Sequence, residues 1–189
     1  MPWYKDEIAA RGSEDDGTRA EMQELLDIFS KDYDFTKKQI RLAKAAPRGF
    51  PDSEWDHIIR GEPVNLNVVF SSLHHIAPIK ENTGHVGRTE ISLGKTKPAR
   101  KVKTSGDWNS AWNATVKATA FAFPHRGNEL REYGEYMDSE FSAKAVSSHH
   151  KLIAFDKAMR HYIMGGQTTT LTQQASLLHV FSLPPTRWS

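Results

Sequence analysis

What most constrains this chain is a run of aromatic and β-branched residues at helical spacing, placed directly after a stretch that breaks helices. Trp108, Trp112, Thr115, Val116, Thr119 and Phe123 fall on one face of a helix turning every 3.6 residues. So much ring surface on one side must be covered, and the helix that carries it is expected at the centre of the fold. Ser105 or Asp107 is the expected N-cap, because a side-chain oxygen there accepts bonds from first-turn amides that have no helical partner. Pro124 forces a turn at its end.

The same periodicity organises the flanks. Met22, Leu25, Leu26 and Phe29 predict a helix near residues 18 to 32, and residues 35 to 45 continue as a second that ends before Pro47. Phe50-Pro51-Asp52-Ser53-Glu54-Trp55 reads as a helix start, with Asp52 or Ser53 as cap and Trp55, Ile58 and Ile59 turned inward before Gly61. Asn65 caps a short helix carrying Leu66, Val69, Phe70 and Leu73. Beyond Pro124, one helix carries Leu130, Tyr133, Met137 and Phe141. Another carries Leu152, Phe155, Met159, Tyr162 and Ile163 and stops at Gly165-Gly166. Thr170 and Gln173, at capping-box spacing, open a last helix through Phe181. The expected fold is all-α: a single bundle of about six or seven helices over residues 18 to 183, with short connections between neighbours. Trp55, Trp108, Trp112, Phe123 and Phe155 are its expected structural core.

Three regions depart from that pattern. Residues 1 to 17 are charged and punctuated by glycine, and read as a flexible tail; residues 184 to 189 read as a disordered C-terminus. Residues 77 to 106 carry Pro78, Gly84, Gly87, Gly94, Pro98 and Gly106 and few large apolar side chains. They are expected to form a long irregular loop or a weak hairpin, with 88 to 93 and 99 to 103 able to pair as short strands. Charge divides along the chain as well. Residues 1 to 34 hold ten acidic side chains against four basic ones, while the whole chain is formally +2, so the body is strongly basic.

Most catalytic chemistry is missing from the sequence. Without cysteine there is no disulfide, thiol nucleophile or thiolate zinc site. Gly94-Lys95-Thr96 resembles the end of a phosphate-binding loop, but Thr89 stands where its first glycine belongs. The pairs His74-His75 and His149-His150 point about 100° apart on a helix, whereas chelation needs three- or four-residue spacing. Glu132, Glu135 and Asp138 lie on a charged helix face. No enzyme, metal or cofactor is expected, and no stretch has the apolar length of a signal peptide or membrane span. An intracellular location, cytoplasmic or nuclear, follows as the expectation.

One positive signal remains. Lys95, Lys97, Arg100, Lys101 and Lys103 fall within nine residues that contain no acid, and a mobile basic strap of this kind neutralises nucleic-acid phosphates without base-specific geometry. DNA or RNA is the expected partner, with Trp108 and Trp112 considered as stacking platforms but assigned to the core. A rival reading places His57, Arg60, Arg126 and Tyr162 in the cleft of a divergent DNA-rejoining or phosphoryl-transfer enzyme. A protein-interaction module is the third.

From residue 47 to about residue 181 the chain resembles gag-like proteins of fungal, basidiomycete-type retroelements. The residues that carry the likeness are Phe50-Pro51-Asp52-Ser53-Glu54-Trp55, Gly106-Asp107-Trp108 and Phe121-Ala122-Phe123-Pro124-His125-Arg126. Glu129-Leu130, Tyr133-Gly134, His149-His150, Asp156, Ala158 and Arg160 continue it. The resemblance implies a non-enzymatic helical domain that self-associates and contacts nucleic acid. It also implies a Cys/His zinc knuckle further on; this sequence has none, and a truncated, degenerate or mispredicted gene copy is the expectation.

Overall fold

The computed structural model describes residues 17, 19 to 74, 83 to 86, 89 to 92 and 100 to 166. The expected tail, the helix begun at Thr170, the C-terminal residues and both Lys95 and Lys97 lie outside the described residues. Among the described residues seven helices follow one another: α1 (19–30), α2 (Tyr33–Leu42), α3 (Asp52–Ile59), α4 (Leu66–Leu73), α5 (Ser105–Ala122), α6 (Gly127–Ala143) and α7 (His149–Gly166). Short 3-10 turns, Pro124–Arg126 and Val146–Ser148, lead into α6 and α7. The fold is an all-α bundle, as its periodicity predicts.

Local chemistry explains where the helices begin. Asp32 caps α2 by accepting from the Phe35 amide at 2.9 Å, and Asn65 caps α4 through the Asn67 amide at 3.1 Å. Neither Ser105 nor Asp107 caps α5. Thr104 does, in a reciprocal box: its hydroxyl accepts from the Asp107 amide while the Asp107 carboxylate accepts from the Thr104 amide. At α3 the expected side-chain cap is missing too, because Pro51 occupies the N-cap position; Asp52 lies in the first turn, bonded to Arg41 of α2. Gly61, with φ of +69°, turns the chain out of α3 in a conformation that a Cβ would strain.

Helix α5 is the hub, packing on α3, α4 and α6. Trp108 and Trp112 stack with ring centroids 5.3 Å apart and planes 14° from parallel. Phe141 and Tyr133 of α6 cover the stack, 5.6 and 5.3 Å away. The indole N–H of Trp112 donates to the Leu130 carbonyl at 3.1 Å, so the ring is held by polarity as well as by area. Gly134 makes this approach feasible, since a Cβ there would stand 2.8 Å from the Trp112 indole nitrogen. Trp55, Trp108, Trp112 and Phe123 are all buried, and the stacking of bases on Trp108 or Trp112 is thereby closed off.

Three expectations need correction. Phe155 is only half-buried: the inward face of α7 is formed by Leu152, Asp156, Met159 and Arg160, and Phe155 lies at its margin. Tyr162, placed on that apolar face from its spacing, is 66% exposed. The short strands pair differently as well: Thr83–Val86 runs antiparallel to Thr89–Ser92, with Val86 opposite Thr89, while residues 100 to 103 form no strand and lie along α4.

Candidate functional site

Residues 100 to 103 are anchored to the bundle. Four hydrogen bonds hold their backbone: Ser71 Oγ accepts from the Arg100 amide at 2.9 Å and donates to its carbonyl at 3.0 Å, Asn67 Oδ1 accepts from Val102 at 2.8 Å, and Asp107 accepts from Lys103 at 3.0 Å. Val102 is the buried anchor of the strap, whereas Arg100, Lys101 and Lys103 stand exposed around it. Extended backbone alternates its side chains, so fixing Val102 inward turns Lys101 and Lys103 outward. Burial by itself would raise the Asp107 carboxyl, but the amides of Lys103 and Thr104, the Thr104 hydroxyl and nearby His74 together hold it below the ordinary range.

Beside the strap lies a cleft of about 690 Å³, for which Val102 and Asn67 form one margin. Its walls come from α3, the α3–α4 connection and α7: His57 and Arg60 on one side, Lys157, Arg160 and His161 on the other. Arg160 is built in at the floor, 6% exposed. It forks onto the fully buried Asp156 at 2.9 to 3.2 Å and donates to the Val64 carbonyl, tying α7 to the loop before α4. The Tyr133 hydroxyl donates to Asp156 at 3.2 Å. Burial, and then the Asp156 charge, push that phenol far above its ordinary range. Glu54, also buried, accepts from the Asn65 amide at 2.7 Å and from Ser53 at 3.1 Å.

Burial lowers the affinity of His161 for a proton, and the neighbouring Arg160, Lys157 and His57 lower it further. Glu62 lies 2.9 Å from His57 Nδ1. Among the described residues, neither Lys157 nor His161 has an ion-pair partner.

The rival enzyme constellation does not assemble. His57 and Arg60 line the cleft, but Arg126 is at the α5–α6 corner, bonded through Nε and Nη2 to Glu129 at 3.0 Å each, and Tyr162 is not among the lining residues. Pro124 turns the chain at this corner, as its sequence position predicts, and His125 Nδ1 lies 3.3 Å from Glu21 of α1. His149 is structural as well. Its Nε2–H donates to the carbonyls of Phe141 and Lys144 at 3.1 and 3.3 Å, closing the end of α6 against the start of α7. Among the described residues no three His, Asp or Glu side chains cluster as metal ligands would, and no helix is long and apolar enough to cross a membrane.

Reading the sequence for motifs missed the cleft. The pairs Asp156/Arg160 and Lys157/His161 do carry a signal, four-residue spacing on one helix, but their partners Val64 and His57 lie far away in sequence. No family model, no curated protein and no solved structure matches the chain.

Proposed function

We propose that this chain is a non-enzymatic helical domain of the gag-like kind that binds nucleic acid through Arg100, Lys101 and Lys103, joined by Lys95 and Lys97. One observation carries the reading: three exposed cations without ion-pair partners among the described residues stand on backbone already anchored to α4 and α5. Anchoring lowers the ordering cost of meeting a phosphate chain, and the cations displace condensed counterions as they do so.

Binding to unrelated single-stranded DNA and RNA, followed by fluorescence anisotropy, tests this. Three phosphate contacts on a single strand predict affinity falling about 20-fold between roughly 50 and 200 mM salt. Replacing Arg100, Lys101 and Lys103 with alanine should remove most of the affinity and most of the salt dependence. Equal binding by the triple variant would overturn the reading.

Self-association belongs to the same proposal, supported by Phe35 and Leu42, exposed at 57% and 69% and seven residues apart on α2. Light scattering is expected to show concentration-dependent mass, reduced in Leu42→Ser. A monodisperse monomer at high concentration would remove this half.

A further inference from the structure

Lys157 and His161 lie one turn apart on α7, and both line the cleft. Two carboxylates sharing the walls are already engaged, Glu54 by the Asn65 amide and Ser53 and Asp56 by Lys37 at 2.6 Å, and Glu62 lies 2.9 Å from His57 Nδ1. Arg160 is held by Asp156, and the Arg60 guanidinium lies 4.7 Å over the Tyr33 ring. What remains uncommitted is cationic.

From this we infer that the cleft is a binding site for a tetrahedral oxyanion, a phosphoryl group above all, held between Lys157 and His161 with His57 facing them. Charge explains how such a site is gated. Lys37 neutralises Asp56 and Asp156 neutralises Arg160, which leaves Glu54 and Glu62 in formal balance with Arg60 and Lys157 on the walls. The proton on His161 therefore decides whether the cleft is neutral or cationic. His161 gives up its proton readily in the empty cleft because burial, Arg160, Lys157 and His57 all oppose its charge. An anion seated among these groups reverses that balance, so proton and anion binding each favour the other. Neither Lys157 nor His161 lies on the strap, and the site stands or falls apart from the nucleic-acid reading.

Sulfate is the probe, a tetrahedral dianion whose charge stays constant through the histidine range. Imidazole proton–nitrogen spectra of the full chain are followed from about pH 5 to about pH 8 in sodium sulfate and in sodium chloride of equal ionic strength. The His161 midpoint is expected at higher pH in sulfate, with sulfate affinity falling about tenfold or more from the acid to the alkaline end. Lys157→Gln, an exposed substitution, should abolish the response. The inference is overturned if His161 titrates alike in both salts, if exposed His150 responds as strongly, or if Lys157→Gln responds undiminished. The response should survive replacement of Arg100, Lys101 and Lys103 with alanine; its loss there would refute a separate site. Displacement of sulfate by an oligonucleotide identifies the natural group as a backbone phosphate, and retention identifies a free phosphoanion; each requires the site.

Discussion

Helices meet in two contrasting ways in this molecule. Between α5 and α6 the space is filled by rings, with Trp108, Trp112, Tyr133 and Phe141 in mutual contact and all buried. Where α7 meets the α3–α4 connection, the fold rests instead on the Asp156–Arg160 fork and leaves about 690 Å³ open beside it. The difference is one of tolerance. Apolar packing gains from every gap it closes, while a buried ion pair is stable only if each partner stays matched, and its unfilled flank remains open to a solute.

Asp156→Ala gives the sharpest contrast between the two. It leaves the Arg160 guanidinium and the Tyr133 hydroxyl buried without their acceptor, and the expected loss is about 3–5 kcal/mol in urea unfolding. Replacing both partners, Asp156→Leu with Arg160→Met, should restore most of it by substituting packing for polarity. A double variant as unstable as the single one would mean that the network is worth more than its volume.

The ring-filled interface is probed by Gly134→Ala. A methyl group 2.8 Å from the Trp112 nitrogen must push the indole or the helix aside. Overpacking of this kind costs about 1–3 kcal/mol, against which alanine returns up to about 1 kcal/mol of helix propensity. Net destabilisation with a shifted tryptophan fluorescence is expected. A stabilised variant would show that α5 and α6 sit farther apart than they do here.

The contrast also separates what sequence could reveal from what it could not. The α5 face was legible because Trp108, Trp112, Val116 and Phe123 repeat within one segment, where period alone assigns the inward side. Asp156 and Arg160 were visible as a spaced pair, yet nothing local says that Val64, 96 residues from Arg160, would accept from the guanidinium. The charge of the strap is legible in its sequence, but the anchoring of Arg100 and Val102 is not, since Asn67 and Ser71, which hold them, belong to another helix. Phe155 failed for a related reason: a hydrophobic stripe marks a face but not its margin.

Smallest in effect, but most direct on the strap, is Thr104→Ala. It removes one half of the capping box at the start of α5 and should cost about 1 kcal/mol. The other half titrates. Asp107 holds its proton less tightly in the folded chain than at the ordinary value of 3.8, so the stability it adds is present above that pH and is lost as the pH falls through its lowered folded value. Because its carboxylate also holds the Lys103 amide, protonation loosens the strap and the helix start together. Protection factors at Lys103 and Thr104, taken relative to the intrinsic exchange rate at each pH, should therefore fall in acid in the parent chain, and be already low and without that pH dependence in Asp107→Asn. If Lys103 stays protected in that variant, the bonds from α4 alone fix the strap, and its order owes nothing to α5.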